Sequence, residues 1–135
     1  HTTRAELQRA VFEGLAFAIV DALQGYPQGG ELYLTGGGAA SATWLQIIAD
    51  CTGRTVVSSA FNELSARGAA ILAARSVAAL AETPPLAQTR YQPRPQAHAR
   101  YAALYPVYRL LREQMRPVWQ ARQAALQPLS QDVQP

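Results

Sequence analysis

The stretch LTGGGAASATW, Leu34–Trp44, decides how this 135-residue chain is built. Upstream of the glycines lies ELYLT, Glu31–Thr35, short and apolar enough for a buried strand. Downstream, Ser41 is a good N-cap and predicts a helix over 42–52, with Trp44, Ile47, Ile48 and Cys51 on one side and Gly53 as its stop. Three glycines therefore sit between a strand end and a helix start. In open α/β sheets ligands bind beyond the carboxyl ends of strands. Helix-start amides favour phosphate or another polar group, and absent Cβ atoms allow close approach. A tight strand-to-helix turn with no ligand uses the same residues. The triple glycine alone leaves the two equally open.

Outward from this stretch the pattern alternates. TVVS, Thr55–Ser58, is a second, β-branched strand, and Asn62 can cap a third helix over 63–80 with Phe61 as a staple residue. Toward the N-terminus, residues 3–24 read as a helix. Thr3 with Glu6 makes a capping-box pattern, and Gly25 is the stop. Leu7, Val11, Leu15, Ala18 and Ala22 recur at helical spacing and predict its apolar face. Tyr26–Gly30 is a turn-rich connector. Helix, strand, helix, strand, helix implies parallel strands with helical crossovers, an α/β fold. Two strands are too few for an independent sheet, so more strands are expected upstream of His1 or from another copy.

Residues 82–100, with four prolines, read as an extended surface segment. YAALYPVYRLLREQMRPVWQARQAAL then returns to helix. Val107, Leu111, Met115, Val118 and Trp119 form a stripe that asks for a core, with Arg109, Arg112, Arg116 and Arg122 mostly off it. Trp119 and Tyr105 are the expected anchors. Pro106 suits a first turn, whereas Pro117 is expected to kink or break the helix. The domain organisation expected is a core over 1–85, an extended segment and closing helix over 86–127, and a disordered tail over 128–135.

Composition narrows the function. Hydrophobic content of 49% is ample for a core, and charged content of only 16% suggests that some surface is covered by something outside this chain. The single cysteine, Cys51, permits no internal disulfide or Cys cluster and fits a reducing, cytoplasmic setting; it reads as a small core residue. Glu13 and Asp21 interrupt the apolar N-terminal run, which argues against a membrane span. With no initiator methionine, the chain is expected to begin mid-protein. All twelve basic residues are arginine, so a P-loop, which needs lysine, is excluded. From Arg90 to Arg122 seven arginines face one acid, Glu113. Such a stretch can meet nucleic acid or an anionic partner, but a solvated helix face is the commoner meaning and is preferred. His1 and His98 lack metal-ligand spacing, and the serines lack a His/Asp pattern for nucleophilic catalysis.

The third helix opens with Glu63, Ala66, Gly68, Ala69 and Ala70. Small residues let a helix lie close to a sheet or a flat ligand, and core packing is the simpler account of the alanines. Two small-residue loops at adjacent strand ends form a natural floor for a nucleotide. A dinucleotide fingerprint fits poorly. Gly36-x-Gly38-x-x-Ser41 lacks the third glycine, and Ser58 and Ser59 stand where the ribose-binding acid is expected.

Taken as a set, Gly36–Ala39, Trp44, Gln46–Asp50, Gly53–Val56 and Glu63–Ala70 resemble the C-terminal domain of the FGGY carbohydrate kinases, which include xylulokinase, ribulokinase, glycerol kinase and erythritol kinase. RAVFEGLAFAIVDAL resembles the helix preceding that block, and YAALYPVYRLL its closing helix; the similarity covers most of residues 4–112. It implies a ribonuclease-H-like, actin-like ATPase fold in two domains, with ATP and Mg²⁺ in the cleft and the sugar held mainly by the N-terminal domain. It also implies nucleotide contact by Gly37, Gly38 and Ala39, with Gly36 as turn-former. Ala42 stands where glycerol kinases carry an adenine-touching asparagine. No catalytic residue is assigned. The family's aspartate base matches none of Asp21, Asp50 and Asp132, and Asp50 reads as structural.

The function so implied is in-line phosphoryl transfer from ATP to a sugar or polyol hydroxyl, with xylulose or a related pentulose or polyol preferred. The chain would hold the nucleotide, be inactive without the N-terminal domain, self-associate through its sheet edge or require that missing part for its fold to persist, and meet neither nucleic acid nor membrane. The alternative is a non-catalytic interaction module using the basic C-terminal helix.

Overall fold

A computed structural model describes residues 1–27, 29–59, 63–77 and 85–131 of the chain. The first helix, α1 (Arg4–Ala22), starts at the capping box. Thr3 Oγ1 accepts from the Glu6 amide at 3.3 Å, and Glu6 Oε2 accepts from the Thr3 amide at 2.7 Å. Strand β1 (Leu32–Leu34) leads through a 3₁₀ turn (Gly37–Ala40) to α2 (Ala42–Thr52). The α2 cap is as expected: Ser41 Oγ accepts from the Trp44 amide, and Gly53 closes the helix at φ +67°. Then follow β2 (Val56–Ser59), α3 (Leu64–Val77), β3 (Gln88–Tyr91) and α4 (Pro95–Gln131). The expected cap Asn62, the staple Phe61 and residues 78–80 of the third helix lie outside the described residues, as do 132–135 of the expected tail.

The sheet order is β1-β2-β3. β1 and β2 run parallel, pairing Leu32 with Val56 and Leu34 with Ser58, as the alternation required. β3 runs antiparallel to β2, pairing Val56 with Tyr91 and Ser59 with Gln88, so the sheet is mixed. This strand corrects the extended-segment expectation for 82–100. Its residues are polar and exposed apart from half-buried Tyr91, so no apolar run announces it. A cross-sheet ion pair holds it: Arg90 donates from Nε and Nη2 to the two carboxylate oxygens of Glu31, each at 3.0 Å.

The core lies where α1, α2, β2 and the start of α4 meet. Ala16, Leu45, Ile48, Ala49 and Val56 are fully buried, with Phe17 and Tyr101 nearly so. The face of α1 that packs carries Ala16, Phe17 and Val20. The expected apolar face is instead the outer one, with Leu7, Val11 and Leu15 52–63% exposed. Both faces are apolar, so spacing alone could not choose between them. Helix α3 likewise buries nothing, and its Ala66, Ala69 and Ala70 are exposed, against the core-packing account.

Helix α4 starts at Pro95, earlier than expected, because a proline is preorganised for the first helical position. It runs unbroken past Pro106 and Pro117 to Gln131, into the stretch expected as tail. The carbonyls those prolines free belong to Ala102 and Glu113, both exposed residues, so the lost bonds are not buried. Its packed side carries Ala97, Tyr101, Tyr105 and Tyr108. Phe17 lies 6.0, 5.9 and 5.3 Å, centroid to centroid, from the three tyrosine rings. The stripe further along is not buried: Val107, Leu111, Val118 and Trp119 are 53–62% exposed. Tyr105 is an anchor and Trp119 is not.

Candidate functional site

Thr35 leaves β1, and Gly36 follows at φ +83° and ψ −172°, a conformation closed to side-chain-bearing residues. The chain turns there, and the Ala39 amide donates back to the Gly36 carbonyl at 2.9 Å. Ser41 then starts α2. The four residues of the expected ATP-binding stretch, turn-former Gly36 and the contacting Gly37, Gly38 and Ala39, thus form one turn between the carboxyl end of β1 and the amino end of α2. Ala39 is half-buried against the core, whereas Gly37 and Gly38 are exposed. Their amides precede the turn's own hydrogen bonding, as first-turn amides do.

Only one of the three glycines is required by the backbone. Neither Gly37 nor Gly38 has a positive φ. A Cβ on Gly37 would meet nothing within 4 Å, and one on Gly38 would reach only the Trp44 ring, at an ordinary 3.7 Å. Trp44 itself leans on Phe12, ring centroids 5.5 Å apart. The parallel pairing of Leu34 with Ser58 sets the end of β2 beside this turn. Residues 60–62, which complete that second loop, lie outside the described residues.

The buried polar groups are structural. Asp50 is fully buried, and its carboxylate accepts from the Arg94 side chain, the Arg94 amide and Gln46. Burial pushes the Asp50 carboxyl upward, but the Arg94 and Gln46 hydrogen bonds outweigh it and leave it below its ordinary value. His98 bonds through Nδ1 to the Asp50 carbonyl at 2.9 Å, a packing role. Cys51 is buried and its thiol is pushed up to about 12, first by burial and then by Glu13 and Asp50, so it is no nucleophile. Arg9, Glu13 and Tyr101 form another polar cluster. Arg9–Glu13 was legible as an i,i+4 pair; Tyr101, 88 residues on from Glu13, was not.

Among the described residues no group of three His, Cys, Asp or Glu side chains could hold a metal ion. Among the same residues no helix is long and apolar enough to cross a membrane.

Comparison with known proteins agrees with this architecture. The model of the FGGY family of carbohydrate kinases, C-terminal domain, matches residues 1–77. The chain is 33% identical to a probable L-xylulose kinase of Pasteurella multocida, over 82% of its own length and 24% of the relative's. It is 36% identical to a glycerol kinase of Koribacter versatilis, over 69% of its length and 21% of the relative's. A xylulose kinase of Rhodospirillum rubrum superposes with a TM-score of 0.70 at 28% identity, covering 87% of this chain and 26% of that one. A xylulose kinase of Lactobacillus acidophilus gives 0.72 at 23% identity, a likeness of fold. The chain thus spans about a quarter of the length of these relatives. The helix-rich mixed sheet with its parallel pair is a partial actin-like ATPase domain. By sequence and by fold, the chain belongs to the FGGY family of carbohydrate kinases, as part of its C-terminal domain.

Proposed function

We propose that this chain supplies the nucleotide-contacting turn of an ATP-dependent sugar or polyol kinase. The observation that carries it is the pair Gly37 and Gly38. Neither backbone conformation nor crowding within the chain demands glycine at either position, so close approach from outside is what their missing side chains serve. In this role Gly36 turns the chain, Ala39 anchors the turn, and the exposed Gly37 and Gly38 amides donate to polar groups of the nucleotide. The γ-phosphoryl group then passes to a carbohydrate hydroxyl. Positioning and charge neutralisation supply the catalysis, with the base, the sugar pocket and the Mg²⁺ site in the N-terminal part of the same protein. The names of the relatives favour a pentulose or polyol substrate. The uncovered apolar side chains, among them Leu72 and Val77, are to be buried by that N-terminal part and by a second copy, in a cytoplasmic enzyme.

The test is Gly38→Val in the full-length enzyme. KM for ATP should rise about tenfold, the equivalent of about 1.4 kcal/mol, while KM for the sugar holds. An unchanged ATP dependence would overturn the assignment.

A second function rests on a different observation: residues 116–126 of α4 are exposed and carry Arg116 and Arg122 without partners among the described residues. A non-catalytic module engaging an acidic protein would use that surface. An upstream catalytic half in the same reading frame, active as a kinase, would remove this alternative.

A further inference from the structure

A depression of about 430 Å³ opens between the first half of α1 and the start of α4, sharing no residue with the glycine turn. Arg9, Glu13, Arg94, Arg100, Tyr101 and Leu104 are on its lining. Arg9 commits Nε to Glu13 at 2.7 Å and Nη2 to the Tyr101 hydroxyl at 3.0 Å. Arg94 commits Nε and Nη2 to the buried Asp50 at 3.0 and 2.6 Å. Each guanidinium is thereby held in place by a carboxylate, with its other N–H groups still unused. Arg100 is exposed and makes no hydrogen bond or ion pair among the described residues, so all five of its donors are free. The one carboxylate on the lining, Glu13, already accepts from Arg9 and Tyr101. Three guanidinium groups against two carboxylates leave one net positive charge.

We propose that this depression binds a phosphate-bearing small molecule. Arg100 would make the principal contact, and the unused N–H groups of Arg9 and Arg94 would make the others. Guanidinium forks from two helices and a connecting turn match a tetrahedral, many-oxygened anion better than a planar carboxylate, which one fork satisfies alone. The volume suits a sugar-phosphate-sized ligand. Prior fixation of Arg9 and Arg94 lowers the ordering cost of binding.

The test titrates the chain at low salt with inorganic phosphate and with a pentose phosphate, followed by heteronuclear NMR, with chloride as the ionic-strength control. Saturable shifts should centre on the Arg100 side chain and the Ala97 and Tyr101 amides. Arg100→Gln should weaken binding about tenfold, the loss of a charge-assisted contact. Arg116→Gln, an equal charge change on a distant exposed arginine, should leave it unchanged. Saturation by the pentose phosphate alone would identify a sugar phosphate as the ligand, whereas saturation by both probes would identify the phosphate group. Shifts no larger than those from chloride, or equal weakening by the two variants, would overturn the proposal.

Discussion

Arg94 closes a clamp on Asp50. Its backbone amide donates to Asp50 Oδ1 at 2.8 Å, while Nε and Nη2 donate to Oδ2. Asp50 is wholly buried on α2, whereas the Arg94 side chain is 60% exposed just before α4. The pair is therefore asymmetric. Removing the arginine leaves a buried charge, and removing the aspartate leaves a hydrated guanidinium. Arg94→Ala should cost about 3 kcal/mol and Asp50→Asn less, in chemical denaturation.

The same clamp sets an acid limit. The folded Asp50 carboxyl lies below its ordinary 3.8, so its contribution is present above that pH. That contribution is lost as pH falls through the lower, folded value. Thermal melts across the acid range should show a drop that Asp50→Asn lacks.

Gly53 lies against His98. It sits at φ +67°, and an added Cβ would come within 2.6 Å of the imidazole. Gly53→Ala should therefore carry both the left-handed penalty and displacement of His98 from the Asp50 carbonyl. Gly25, at φ +89° in open space, carries only the first. The expected losses are about 2–3 kcal/mol for Gly53→Ala and about 1 kcal/mol for Gly25→Ala, read from denaturant midpoints.

The arginines of α4 are not equivalent. Arg112 pairs with Asp21, whose side chain is only 11% exposed and whose Oδ2 has no hydrogen bond otherwise. Arg112→Gln should cost about 1–2 kcal/mol, and Arg116→Gln nothing measurable. Trp119→Ala should likewise be nearly silent in this chain, whereas Phe17→Ala should cost about 3–5 kcal/mol. Calorimetry of the four variants checks the order.

Tyr101 sets an alkaline limit. Burial first, and then donation to Glu13, raises its phenol above the ordinary 10.0. Stability from this group is full below that value and is lost as pH climbs through the raised one. Tyr33 and Tyr105 are raised as well, so ultraviolet titration of tyrosinate should show the late-ionising component shrink by one tyrosine in Tyr101→Phe.

The chain by itself should phosphorylate nothing. Incubated with ATP, Mg²⁺ and a panel of pentuloses and polyols, it should release no sugar-dependent ADP. Turnover at enzyme-like rates would place the base and the sugar pocket within these residues.

Local physics made much of this molecule legible. Thr3 with Glu6, Ser41, Gly53 and the β-branched pair Val56 and Val57 specify their elements through contacts no more than a few residues long, so sequence alone determined α1, α2, β2 and the glycine turn. The motif set around that turn also carried the family. Tertiary structure decided what depends on distant partners. Both faces of α1 are apolar, and only the arrival of α2 and α4 selects the Ala16–Phe17 side. Polar β3 exists because β2 offers a free edge and Glu31 a counter-charge for Arg90. The clamp at Asp50 joins residues 44 positions apart, and the arginine-lined depression joins Arg9 to Tyr101, 92 positions apart. No local pattern encodes such meetings, because their energy arises only once the chain has closed on itself.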